Sequence, residues 1–104
     1  MTEAPTISTH VLDVERGQPA AGITIELYRA WDETRVGFGV TDQDGRIRRL
    51  IEGPLEATDY ELRFSLPGQF FKRAALTFHV DDPLRSYHVP LLMAPYGLTT
   101  YRGS

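Results

Sequence analysis

Along much of this chain every second residue is apolar, which is the period of a β-strand. In residues 22–28, which read GITIELY, Ile23, Ile25 and Leu27 fall on one side of such a strand. Successive side chains of a strand point to opposite faces, so this stretch predicts a strand with one buried face. The same period predicts strands at residues 6–14, 35–41, 46–51, 60–66 and 76–80, and a final pair of strands within residues 87–104 that is joined by a turn at residues 94–97.

Residues that favour turns separate these strands at regular intervals. Glycine and proline stand close together in residues 15–19, Asp44-Gly45 is a strong hairpin signal, and residues 81–83 form another turn. Only residues 68–75 suit a helix, and it would have barely two turns. About eight short strands with regular turns and at most one helix predict an all-β fold, either a sandwich or a small barrel.

Length and composition narrow the classes of protein. The 104 residues form a single domain, residues 1–104, with one core. The formal charge of −3 argues against a nucleic-acid partner, and the absence of cysteine excludes a disulfide framework and a thiolate zinc site. No apolar run approaches membrane-spanning length, and the first ten residues do not resemble a secretory signal. We therefore expect a cytoplasmic protein with no membrane partner.

The period of two also shows which polar side chains share a face. If the side of the first strand that carries Ile7 lines the core, then His10, His88 and Tyr101 lie together on the outward face. The other residues expected on that outward face are Leu12, Pro90 and Leu92. Such a face is too apolar for plain exposure to solvent and resembles a surface that a partner subunit buries.

Each of these candidates also has an ordinary structural explanation. A single histidine on a strand is most often a hydrogen-bonded structural residue, and only the recurrence of His10 and His88 on matching faces argues for more. Arg46 directly follows Asp-Gly, where a solvated turn residue is common, and Tyr101 begins a tail that by composition could be disordered. Pro90 lacks the N–H that strand pairing uses, which predicts a bulge or a register that does not need that donor.

Five short motifs follow one another in an order that is known from one family. They are STHVLD at residues 8–13, GQPA at 17–20, TDQDGR at 41–46, YHVPLL at 87–92 and YRGS at 101–104. With them the chain resembles the 5-hydroxyisourate hydrolases, the transthyretin-like enzymes of urate degradation, from Ile7 to Ser104. The two histidines and the YRGS ending distinguish these enzymes from transthyretin itself, the hormone carrier.

The resemblance implies a fold and an assembly. The fold is a transthyretin-like (prealbumin-like) sandwich of two four-stranded antiparallel sheets with one short helix between the fifth and sixth strands. The assembly is a homotetramer, a dimer of dimers, with active sites in the cleft where the dimers meet. The stretch between Phe71 and Leu76 is shorter than is usual in the family, which affects the connection from the helix to the next strand.

The resemblance also implies the activity and its residues. The reaction is hydrolysis of 5-hydroxyisourate to 2-oxo-4-hydroxy-4-carboxy-5-ureidoimidazoline, a small-molecule step of urate (purine) degradation. By position, the catalytic residues are His10, Arg46 and His88, and the substrate-binding residues are Tyr101, Arg102 and Ser104.

These residue types suit the reaction. Histidine titrates near neutral pH and can take a proton from water, while an arginine can stabilise a developing oxyanion. We expect no covalent intermediate, no cofactor and no metal.

Two other functions remain open from the residues alone. A non-catalytic transthyretin-like protein would hold a small aromatic ligand in its central channel without turnover, but it would not need His10, Arg46 and His88. A carbohydrate-binding or adhesive β-sandwich would predict exposed aromatic platforms and gives no reason for the YRGS ending.

Overall fold

The structure, a computed structural model, describes residues 4–51 and 53–103, and within them the chain is built of short strands without a helix. Ser104, expected in the site, lies outside the described residues. The strands are β1 (Ile7–Asp13), β2 (Gln18–Pro19), β3 (Thr24–Arg29), β4 (Thr34–Val40), β5 (Arg46–Ile47), β6 (Asp59–Ser65), β7 (Arg73–His79), β8 (Tyr87–His88), β9 (Leu91–Ala94) and β10 (Gly97–Thr100).

Two sheets face each other, so of the sandwich and the small barrel that the sequence pattern left open, the fold is the sandwich that the resemblance implied. The second sheet is antiparallel in the order β4-β3-β6-β7. The first sheet is arranged around β1, in the order β10-β9-β1-β2, with β5 and β8 also pairing with β1. The core between the sheets is formed by alternate residues of both, which are less than a tenth exposed: Ile7, Val11, Ile25, Leu27, Tyr60, Leu62, Phe64, Tyr87 and Leu91.

The expectation that both sheets are wholly antiparallel is wrong for the first sheet. β1 runs parallel to β8 and to β9, with Ile7 opposite Tyr87 and Val11 opposite Leu91. Strands joined by a tight turn must be antiparallel, but parallel strands need a long crossover connection. The whole second sheet separates β1 from β8 along the chain, and it supplies that connection.

The helix predicted at residues 68–75 does not form. β7 begins at Arg73, because residues 73–75 pair with residues 63–65 of β6, and the connection closes with a hydrogen bond from Leu66 N to Lys72 O (2.9 Å). The few residues left between the strands are too short for a stable helix, whose first turn costs more than it gains. Continuous strand pairing replaces the helix.

Two further strands differ in extent from the prediction. β5 holds only two residues of the predicted strand at 46–51, although Leu50 still donates from its N–H to Ile7 O (2.9 Å). β8 and β9 are one strand interrupted at Val89 and Pro90, and both halves keep the same offset against β1. The register therefore does not need a donor at Pro90, as predicted. Pro90 is buried within the chain itself and adds nothing to an exposed patch.

Candidate active site

The candidate site is formed on the outward face of β1, because three strands meet there. His10 of β1 lies opposite Arg46 of β5, and Ser8 of β1 lies opposite His88 of β8. Paired residues share a face with their Cβ atoms ~5 Å apart, and Ser8 and His10 are about 7 Å apart along the strand. The fold therefore collects His10, Arg46 and His88 on one patch of the first sheet, and all three are half-buried.

The turn before β5 holds Arg46 in place. One carboxylate oxygen of Asp42 accepts hydrogen bonds from the N–H groups of Asp44 (2.9 Å) and Arg46 (3.0 Å). These bonds hold the pKa of Asp42 below its usual range, and the bond from the Arg46 N–H contributes most. Gly45 adopts φ +75° and its carbonyl accepts from Val11 N, while a Cβ at Gly45 would collide with Val11 O. The turn is thus fixed to β1 beside His10.

The tautomer of His10 follows from its hydrogen bond. Nε2 of His10 lies 2.7 Å from the carbonyl oxygen of Asp44, in the turn that positions Arg46. A carbonyl oxygen only accepts, so Nε2 carries a hydrogen and donates it. In the neutral ring this leaves Nδ1 of His10 as the basic nitrogen.

His88 is also held by one ring nitrogen. Its Nδ1 is 2.8 Å from Oγ of Ser8, which leaves Nε2 for the reaction. Burial, followed by the charges of Arg46 and His10, lowers the pKa of His88 below its ordinary value of 6.5. Near pH 7 the imidazole is therefore neutral and able to accept a proton.

The end of the chain packs directly on His88. Gly103 donates from its N–H to His88 O (2.7 Å). A Cβ built on Gly103 would lie 2.5 Å from Cδ2 of the His88 ring and 3.2 Å from its Cγ, which is closer than side chains tolerate. Only glycine lets the backbone approach the imidazole so closely. The tail therefore restricts where the His88 ring can lie.

The other tail residues occupy different places. Tyr101 follows β10 and is 54% exposed. The guanidinium of Arg102 lies over the ring of Tyr87, 5.0 Å from its centroid, and Tyr87 and His88 are consecutive strand residues whose side chains point to opposite faces. The guanidinium of Arg102 therefore lies on Tyr87, the core-facing residue next to His88 in β8.

Sequence reasoning did not select three groups that this geometry includes. Ser8 was on the same face as His10 by the period of two, but its partner His88 is 80 residues away. Asp42 could have been found as the first residue of an Asp-x-Asp-Gly turn, a common place for a carboxylate that accepts backbone N–H groups. For Gly103 the sequence contains no local signal of a close contact, because it shows only a glycine in the tail after the last strand.

Two other features bear on ligands. Among residues 4–51 and 53–103, no three side chains of the metal-binding types come together as a metal site. An open groove of about 620 Å³ lies at the far end of β1, between the β1–β2 turn and Pro95-Tyr96. It does not include the histidines and is separate from the candidate site.

Comparison with known proteins identifies the family. The model of the HIUase/Transthyretin family matches residues 7–103. The chain belongs to this family. A 5-hydroxyisourate hydrolase of Deinococcus radiodurans is 44% identical over 119 aligned positions that cover 100% of both chains. The alignment is 15 positions longer than the 104 residues of this chain, so the relative has residues that this chain lacks.

Solved structures of the HIUase/Transthyretin family share the fold. A 5-hydroxyisourate hydrolase of Klebsiella pneumoniae has a TM-score of 0.85 and 36% identity, covering 95% of this chain and 99% of that one. A sea bream transthyretin in complex with thyroxine has a TM-score of 0.79 and 26% identity, covering 92% of each chain. In the described part of the chain, no helix has the length and apolar character needed to cross a membrane.

Proposed function

We propose that this protein hydrolyses 5-hydroxyisourate to 2-oxo-4-hydroxy-4-carboxy-5-ureidoimidazoline in urate degradation. The observation that carries the proposal is the pair of imidazoles beside Arg46 on one face of β1, each with one ring nitrogen bonded to the protein. Relatives named 5-hydroxyisourate hydrolase, 44% and 37% identical over nearly their whole length, support the same substrate. The protein is thus an enzyme acting on a small cyclic amide.

His88 is the group best placed to activate water. The His88 ring is neutral near pH 7, and its Nε2 can take a proton from water. Its Nδ1–H donates to Ser8 Oγ before and after this transfer, so the ring keeps its orientation. The resulting hydroxide attacks the acyl carbon of the six-membered ring. A carbon–oxygen bond forms and the carbonyl oxygen becomes an oxyanion.

Arg46 and His10 complete the step. The guanidinium of Arg46, permanently charged and held beside His10 by the Asp42 turn, stabilises the oxyanion. The carbon–nitrogen bond then breaks, and an imidazolium, either His88 after proton transfer or His10, protonates the leaving nitrogen. The carboxylic acid that forms gives up its proton to solvent, so the product carries a carboxylate. Because water attacks directly, the reaction forms no covalent intermediate with the enzyme.

The tail forms the border of the proposed substrate site. Tyr101 is exposed next to the strand that carries Leu92, where its ring limits the size of the ligand. Of the two remaining tail residues that the resemblance implies for the site, we assign Ser104 to the same border, while the guanidinium of Arg102 lies over the ring of Tyr87.

The proposed assembly is a homotetramer, a dimer of dimers, in the cytoplasm. The outward face of β1, β9 and β10 supports it, because that face combines the polar site with half-buried Leu12 and Leu92 and exposed Thr99. A second dimer over this face would close the site against water. Sedimentation at micromolar concentration should give four times the chain mass of 11.7 kDa, and a monomer mass would remove the interfacial site.

A hydrolysis assay tests the function and separates it from ligand carriage. Freshly prepared 5-hydroxyisourate should lose its ultraviolet absorbance faster with nanomolar protein than without it, and the ring-opened carboxylate should accumulate in step. A carrier would bind the compound in stoichiometric amount and leave the spontaneous decay unchanged. That result would reject the proposed enzyme.

A further inference from the structure

A small cluster of charged and aromatic groups lies beside the tail and outside the catalytic residues. Oη of Tyr87 donates to Asp81 Oδ1 (2.6 Å) and accepts from Asp82 N (2.9 Å). The guanidinium of Arg102 covers the ring of the same tyrosine at 5.0 Å. The hydrogen bond from Tyr87, together with the charge of Arg102, lowers the pKa of Asp81. Tyr87 is only 3% exposed and gives a fixed ring, on which the exposed Arg102 lies from the solvent side.

The positions of these contacts along the chain are informative. Arg102 lies on Tyr87, and the next residue, Gly103, bonds to the next residue of β8, His88. The tail therefore follows β8 residue by residue. The cation on the aromatic ring holds one side of the strand, and the glycine backbone meets the imidazole on the other.

We propose that Arg102 is a positioning residue: anchored on the ring of Tyr87, it holds Gly103 against the His88 ring. This inference rests on the proposed function, and it gives Arg102 the role of positioning His88 instead of contacting the substrate. The negative face of an aromatic ring attracts a guanidinium, so this contact favours one position of the tail over others. Without the anchor, the hydrogen bond from Gly103 to His88 O must hold the tail alone.

A kinetic comparison separates anchoring from substrate binding. Arg102→Ala should lower kcat on the order of 10-fold or more, because a displaced base reacts slowly, while KM changes less than about 2-fold. Arg102→Lys, which keeps a cation for the ring, should retain an intermediate kcat. Arg85→Ala is the matched control, since Arg85 lies over the same ring at 5.8 Å but is not part of the tail, and both constants should stay near wild type. A raised KM with unchanged kcat in Arg102→Ala would overturn the anchor.

The hydrogen bond from Tyr87 to Asp81 gives an independent variant. Asp81→Asn should lower kcat by a smaller factor than Arg102→Ala, since it weakens the hydrogen bond that fixes the Tyr87 ring under Arg102 but keeps an acceptor for the Tyr87 hydroxyl. In the Arg102→Ala background the same substitution should add nothing, because the anchor is already lost. Equal effects of Asp81→Asn in both backgrounds would show that the two residues act separately and would overturn the proposal.

A spectroscopic readout needs no substrate. The chain has three histidines, so the ring Cδ2–H region of a carbon-13 correlation spectrum holds three signals. Arg102→Ala should shift the signal of His88. The signal of His79, which lies on β7 and pairs with Asp59, should not move. An unmoved His88 signal would overturn the anchor even if the protein is a hydrolase. A moved signal in a protein without hydrolase activity would support the anchor and reject only the proposed function.

Discussion

Gly103→Ala is the perturbation for which the structure makes the clearest prediction. The added Cβ would lie 2.5 Å from His88 Cδ2, whereas ordinary contacts begin at 3.4 Å, so about 1 Å has to be absorbed. Either the tail moves away and loses its hydrogen bond to His88 O, or the imidazole turns out of place. A shift of that size in a catalytic group costs on the order of 100-fold in rate. The lost hydrogen bond at a half-buried chain end costs no more than about 1 kcal/mol of unfolding free energy.

The assay is a pair of measurements on two glycine variants. Gly97→Ala is the control, since Gly97 belongs to the same terminal hairpin but a Cβ there meets no atom of the described residues within 4 Å. We expect both variants to melt within a few degrees of wild type, and only Gly103→Ala to lose kcat. Wild-type turnover in Gly103→Ala would refute the claim that the tail determines the position of His88.

The remaining predictions concern the groups around the histidines. Ser8→Ala removes the hydrogen-bond partner of His88 Nδ1 and should lower kcat about 10-fold, the rate equivalent of one hydrogen bond of ~1.4 kcal/mol. Ser8→Thr keeps the hydroxyl and should restore kcat. Equal rates in wild type and both variants would exclude this role for Ser8. The acid limb of the pH profile of kcat/KM should have its midpoint below pH 6.5, the ordinary value for histidine, because burial keeps His88 neutral to lower pH. Arg46→Gln removes a nearby positive charge and should move that acid limb up towards pH 6.5, and an unmoved limb would show that Arg46 does not influence the base. Arg46→Lys keeps the charge and should leave the limb in place while kcat falls roughly 10-fold, and a fully active lysine variant would show that the planar guanidinium is not required.

The period of two explains why the outward face could be predicted. It assigns His10 to the side opposite Ile7 and His88 to the side opposite Tyr87 without knowledge of any pairing. The Asp44-Gly45 signal likewise located the turn before Arg46. These features depend on neighbouring residues, which a single sequence displays directly.

The features that escaped prediction depend on pairing between distant residues. Whether β1 meets β8 in parallel, and with Ser8 opposite His88, is decided by packing across the core and not by any local pattern. The region around Phe71 and Lys72 suits a short helix as well as a turn, and the pairing of β6 with β7 decides between them. A close approach such as that of Gly103 becomes visible only when its partner is in place.

The rate of 5-hydroxyisourate loss with His88→Ala decides whether the face of β1 catalyses hydrolysis through its histidines. Alanine removes the base and leaves the backbone oxygen that anchors Gly103, so the fold should persist. We expect the catalysed rate to fall roughly 100-fold or more below wild type at pH 7, the usual contribution of a positioned base. A folded His88→Ala protein that hydrolyses the substrate at the wild-type rate would show that this histidine is not the base.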